Sequence, residues 1–215
     1  MLTRCIRTTI LWCSAVLLVV GCQTVQVTHS GEHSAPQSDT VKNADAIENA
    51  YSKVTQRLFD DSLDAIRNQK FQDAERLLTK LTGLHAELSS PWANLGIVYL
   101  HLHKRDQAHA AFERAVQNNP ANCVALNQLG IMASEAGQFR EAEARYLACI
   151  DKSPQFREAH LNLGILYELY LGKYEAALSA YSAYQALLDE PDPRIAGWVI
   201  DLERRQASLI ASAKD

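Results

Sequence analysis

The sequence predicts an all-α chain built as a stack of helix hairpins, and three observations carry that prediction. Residue types recur every 34 positions, apolar residues inside each segment keep a spacing of three and four, and Gly and Pro punctuate the segments. Trp92, Leu95, Gly96 and Tyr99 are followed by Ala108, Phe112, Ala115 and Pro120. The same series returns as Leu126, Leu129, Gly130 and Ala133, then Ala142, Tyr146, Cys149 and Pro154. It returns again as His160, Leu163, Gly164 and Tyr167. After that the register slips by one residue, giving Ala177, Tyr181 and Tyr184 before Pro191. Gly137-Gln138-Phe139 and Gly172-Lys173-Tyr174 mark the turn inside two of the hairpins.

The pattern W-x-x-L-G-x-x-Y, then A-x-x-x-F, then a closing Pro at this period resembles the tetratricopeptide repeat. The resemblance implies a right-handed superhelical α-solenoid with units at 55–88, 89–122, 123–156 and 157–191. The first unit is degenerate: Lys70-Phe71-Gln72-Asp73-Ala74 repeats the inner turn, but Asp61-Ser62 replaces Leu-Gly. Gly96, Gly130 and Gly164 are expected to let the first helix of each unit approach the second, because no Cβ intervenes. Ala108, Ala142 and Ala177 do the same from the other side, and Phe112, Tyr146 and Tyr181 fill the space between units. Pro120, Pro154 and Pro191 end the second helices. Upstream, Val41, Ala44, Ile47, Tyr51, Val54 and Leu58 predict a helix running from about 40 into the first unit, so the repeat domain spans 40–191. Downstream, Pro193 followed by Ile195, Trp198, Val199, Leu202 and Leu209 predicts a C-terminal capping helix within 192–215.

The N-terminus carries a different kind of information. Arg4 and Arg7 precede an apolar run from Ile10 to Val20, 11 residues long. A membrane-spanning helix needs about 20, so the run matches the hydrophobic core of a signal peptide. Val19-Val20-Gly21-Cys22 at its end resembles a bacterial lipobox. That resemblance implies a leader over 1–21, diacylglyceryl transfer to Cys22 and acylation of the new N-terminus with fatty acids such as palmitate. Several acyl chains would hold the protein on the membrane durably, since each buried methylene contributes about 0.8 kcal/mol. Gln23 after the cysteine, where Asp would signal inner-membrane retention, points to the periplasmic face of the outer membrane of a Gram-negative bacterium. Residues 22–39 are poor in bulky apolar groups and read as a flexible tether. Cys123 and Cys149 are expected as two buried or half-buried thiols, with a bridge between them as the alternative.

A net charge of -4 argues against nucleic acid as a partner. No phosphate-binding loop or nucleophile elbow is present, and the cluster of His101, His103, His109 and Asp106 reads as an exposed turn and not a metal site. The chain is therefore expected to be no enzyme, with no cofactor, no metal and no small-molecule substrate. In the tetratricopeptide family, first helices line a concave groove that binds protein partners. Here that column holds Phe59, Leu63 and Ile66, then Ala93, Ile97 and Leu100, then Asn127 and Ile131, then Leu161, Ile165 and Leu169. Phe59, Leu63, Ala93 and Ile97 stand where the family's carboxylate-clamping class carries Lys and Asn, so that clamp is missing. Ile97, Ile131 and Ile165 form an apolar ladder at repeat spacing, suited to a hydrophobic segment of a partner unless superhelical curvature covers it. Asn94 and Asn162 are expected in structural roles. The expected function is an envelope scaffold or assembly factor, resembling the repeat lipoproteins of pilus and secretin biogenesis. The alternative is an accessory subunit of a TonB-ExbB-ExbD system, which the stretch from Gly172 to Arg205 resembles.

Overall fold

The computed structural model describes residues 39–212. The leader, Cys22 and the tether up to residue 38 lie outside the described residues, as do the side chains of Val41, Ala44, Ile47, Tyr51 and Leu209. Contacts divide the chain into two units, Met1–Lys42 and Asn43–Asp215, and the description below concerns the second.

Among the described residues there are nine α-helices and no strand. They are α1 (Asp39–Arg67), α2 (Phe71–Leu84), α3 (Ser89–His101), α4 (Arg105–Asn118), α5 (Cys123–Glu135), α6 (Phe139–Lys152), α7 (Arg157–Ile165), α8 (Tyr174–Ala186) and α9 (Pro193–Ser212). α3 pairs with α4, α5 with α6 and α7 with α8, and each hairpin packs on the next through α2·α3, α4·α5 and α6·α7. α3 also meets α5, and α5 meets α7, whereas α4 and α6 have no comparable contact. The first helices thus form the closer-set row of an α-solenoid, as the sequence predicted.

The repeat glycines work through the aromatic rings. A Cβ at Gly96 would lie 2.5 Å from the Phe112 ring, one at Gly130 2.5 Å from Tyr146, and one at Gly164 2.5 Å from Tyr181. Each aromatic therefore lies across the glycine of its own unit and does not merely fill the gap to the next. All three rings are buried at 2% exposure or less, with Ala108, Ala142 and Ala177 at 0% beside them. Tyr146 and Tyr181 also share one core with Leu163, Leu166 and Tyr167, so a ring set by one unit supports its neighbour.

The turns repeat as strictly as the cores. Left-handed backbone occurs at Gln69, His103, Gly137 and Gly172, with φ between 58° and 74°. The first two positions carry a Cβ where glycine would be unstrained. The one-residue slip in the fourth unit has a structural form: α7 runs into a π-helical turn, Leu166–Tyr170, which absorbs the extra residue. Pro120 and Pro154 follow within two residues of the ends of α4 and α6, while α8 already stops at Ala186, well before Pro191.

The expectation of two separate thiols is corrected. Cys123, the first residue of α5, and Cys149, near the end of α6, are paired as a disulfide with Cα atoms 4.8 Å apart. The helix-pair geometry of a hairpin brings its first and last turns together, which places both residues in one buried cluster with Leu126 and Ala159. α9 closes the stack by burying Ile195 and Leu202 against α8. Gln185 fixes its start, donating to the Asp192 carbonyl and accepting from the Asp192 N–H, both at 2.8 Å.

Candidate partner-binding groove

The predicted groove column separates into three groups. Phe59, Leu63, Ile66, Ile97, Leu100, Ile131, Leu161 and Ile165 are half-buried: one side of each faces solvent. For most of them the other side rests on a core cluster, Phe59 and Ile66 on the first, Ile97 and Leu100 on the second, and Ile131, Leu161 and Ile165 on the last. Leu169 is the most open, at 64% exposure.

Ala93 and Asn127 are corrections. Both are buried, at 3% and 5%, and present no surface to a partner. Alanine is too short to emerge from between α3 and its neighbours, and Asn127 is consumed by Asn162, whose Nδ2 donates to its Oδ1 at 2.9 Å. That bond ties α5 to α7. Asn94 donates to the Ser90 carbonyl one turn back at 2.9 Å, so both family asparagines serve the scaffold.

Four residues outside the predicted column complete the C-terminal end of the groove. Ile165 and Leu169 open into a cleft of about 350 Å³ shared with Glu168, Tyr181, Trp198 and Arg205. Trp198 comes from α9, lies 6.1 Å from the Tyr181 ring and stays 45% exposed. Glu168 is almost wholly buried, and two donors hold it there: Arg205 at 2.6 Å and the Tyr181 hydroxyl at 2.9 Å. Burial, and then the neighbouring Glu168 carboxylate that accepts its hydrogen bond, push the Tyr181 phenol well above its ordinary range. The cleft can therefore accept an apolar side chain over a neutralised, hydrogen-bonded floor. Trp198 was legible as an amphipathic-helix residue, but the packing of α9 against α8 leaves no mark in the sequence.

The histidines do not converge on a metal. His101 stacks on Phe71 at 4.2 Å, His103 occupies the left-handed turn, and no group of three metal-binding side chains exists among the described residues.

Models of the tetratricopeptide repeat match residues 90–122 and 127–194. Human protein O-mannosyl-transferase TMTC3 is 34% identical over 79 residues, which is 35% of this chain and 9% of that protein. Anaphase-promoting complex subunit 3 of Schizosaccharomyces pombe is 27% identical over 75 residues, 35% of this chain and 11% of its own length. The chain thus spans only about a tenth of these two relatives. Among solved structures, Pseudomonas aeruginosa pilF superposes with a TM-score of 0.64 at 18% identity, covering 76% of this chain and 73% of its own. MamA 41-end from Desulfovibrio magneticus RS-1 gives 0.58 at 18%, covering 74% and 89%. At these identities the likeness speaks for the fold alone. The glycine–aromatic register, the hairpin stack and the family models agree: this chain carries tetratricopeptide repeats.

Proposed function

We propose that the chain is a lipid-anchored scaffold of the cell envelope that collects a partner protein on the first-helix face of its repeats. The column Ile97, Ile131 and Ile165 carries this reading. Each isoleucine is half in a core and half in solvent at the same place in three successive units, and the row continues into the cleft at Leu169 and Trp198. Such a row suits the apolar face of a helix or an extended apolar segment. The lipobox at Cys22 supports an anchor, and Gln23 supports the outer membrane. The Cys123–Cys149 pairing supports an oxidising compartment such as the periplasm. On this reading the chain needs no cofactor and catalyses nothing; it positions other proteins, as in pilus or secretin assembly. The stretch from Gly172 to Arg205 favours the second reading, an accessory of a TonB-ExbB-ExbD system.

The test is affinity purification of the full chain from cross-linked membranes, beside metabolic labelling with a fatty-acid analogue. Label on the wild type and none on Cys22→Ser, with one envelope assembly enriched, is the predicted result. A labelled Cys22→Ser protein would reject the anchor, and recovery limited to cytosolic proteins would reject the compartment.

A further inference from the structure

The seams between neighbouring units repeat one polar contact and omit it once. Between the first and second units, Lys104 donates to both oxygens of Glu75 at 2.7 and 2.8 Å, and its Nζ lies 5.7 Å from the Tyr99 ring centre. Between the third and fourth, Lys173 donates to Glu143 at 2.8 Å and lies 5.1 Å from the Tyr167 ring. A tyrosine, an ammonium and a carboxylate close each outer seam.

Counting 34 residues on from Tyr99, Lys104 and Glu75 gives Ala133, Gln138 and His109 at the central seam. All three groups are lost together. The backbone frame is unchanged, because Lys104, Gln138 and Lys173 each stand immediately before their second helix, α4, α6 and α8. A hollow of about 160 Å³ opens at this seam. Buried Leu129, Met132 and Ala133 form its floor, and Arg105, Asp106, His109 and Glu141 stand on its rim, with the Arg105 guanidinium donating to the Met132 carbonyl at 3.4 Å. The local charge is acidic in balance. Arg105 is engaged by Glu135 at 2.7 Å, and Arg145 is shared between Glu113 at 2.6 Å and Glu141 at 3.2 Å. Asp106 has no cationic partner among the described residues.

We propose that this central hollow is a binding site for a lysine side chain, next to an aromatic residue, of a bound polypeptide. The ammonium takes the place left by the seam's missing lysine and is held by Asp106 and Glu141. Its methylene stem lies on Met132, and the aromatic ring covers Ala133 where Tyr99 and Tyr167 stand in the other seams. The partner thereby completes the seam. The inference rests on the scaffold reading above and specifies part of what the partner presents.

The probe is the dipeptide N-acetyl-Tyr-Lys-amide, with N-acetyl-Tyr-norleucine-amide as the uncharged control, titrated into the full chain in detergent micelles. The methyl NMR signals of Met132 and Ala133 report occupancy. The lysine peptide should shift both, and the control should bind about tenfold more weakly or worse, since a charge-assisted hydrogen bond is lost. Ala133→Tyr with Gln138→Lys and His109→Glu refills the seam and should abolish the Met132 shift. Asp106→Asn with Glu141→Gln leaves the cavity open and should lower affinity about tenfold by the same reasoning, which keeps the test decisive if the refilled variant does not fold. Unshifted Met132 and Ala133 signals, equal binding of both peptides, or unchanged binding after the charge-removing pair would overturn the proposal. The isoleucine column is untouched in these variants. Partner capture that survives refilling the hollow but is lost in Ile131→Glu would reject this site while leaving the scaffold reading intact.

Discussion

Replacing Gly130 with alanine tests how the repeats are held together. In an ordinary helix the change stabilises, because alanine exceeds glycine in helix propensity by about 1 kcal/mol. Here the new Cβ would stand 2.5 Å from Tyr146 Cε1, 2.8 Å from Cδ1 and 2.9 Å from Cζ. Carbon atoms rest at about 3.5–4.0 Å, so the ring must retreat by roughly 1 Å. It has nowhere to go, being 2% exposed and packed in the core that holds Leu163 and Tyr167 of the next unit. Overpacking costs about 1–3 kcal/mol, and a ring with no room to retreat belongs at the upper end, about 2–3 kcal/mol, which outweighs the propensity gain and leaves a net loss of about 1–2 kcal/mol. For a chain of this size the melting midpoint should fall by roughly 2–8 °C. Gly197 in α9 is the internal control, since a Cβ there meets nothing within 4 Å. Gly197→Ala should raise the midpoint by roughly 1–4 °C through propensity alone. Circular-dichroism melts of the two variants should therefore move in opposite directions. A Gly130→Ala protein that gains stability as Gly197→Ala does would refute the ring-over-glycine packing. Adding Tyr146→Leu should relieve part of the clash, so the double variant should lose less than the sum of its singles.

Other expectations follow from the turns, the seams and the disulfide. His103 holds a left-handed φ of 58° with an exposed side chain, so His103→Gly should gain about 1 kcal/mol in a denaturant melt, whereas Gly137→Ala should lose about as much. Reduction of the Cys123–Cys149 bridge, which closes a separation of 26 residues, should cost about 3 kcal/mol, and Cys123→Ala with Cys149→Ala should melt identically with and without reductant. Lys173 holds the Glu143 carboxyl below its ordinary value, with the Tyr167 hydroxyl helping against burial. That contribution is present above the unfolded carboxylate's range and disappears as pH falls through the lowered folded value. Lys173→Met should therefore destabilise near neutral pH and flatten the acid limb of a stability–pH profile. Burial, reinforced by Glu143, pushes the Tyr167 phenol up to about 12, so ultraviolet titration should find Tyr167, like Tyr181, ionising well after the exposed tyrosines.

Much of the fold was legible because a solenoid writes its contacts periodically. Gly96, Gly130 and Gly164 recur because a ring must lie on each of them, and Phe112, Tyr146 and Tyr181 recur for the same reason. The slip before Ala177 was visible as a count, but its π-helical form was not, because a wider helical turn demands no particular residue. The disulfide was hidden for a different reason. Two cysteines 26 apart carry no pairing information until the hairpin sets Cα atoms 4.8 Å apart. In the candidate groove, the column was readable but the depth of each side chain was not: Ala93 and Asn127 share the column of Ile97 and Ile131 yet lie buried, one by its length and one by its bond to Asn162. The cleft at Trp198 and Arg205 depends on how α9 crosses the last hairpin, a tertiary property with no periodic trace.

The most direct test of the scaffold account is Ile131→Glu, measured for folding and partner recovery on the same preparation. Ile131 keeps one side in solvent, so a glutamate there can remain hydrated while the isoleucine's core-facing contacts are lost. The account predicts a cooperative melt that survives with a modestly lowered midpoint, beside loss of the envelope partner that the wild type brings down from cross-linked membranes. An unfolded variant would show Ile131 to be core, because an unpaired buried charge is prohibitive. A folded variant that recovers the partner undiminished would contradict the account and take the interface off this face of the repeats.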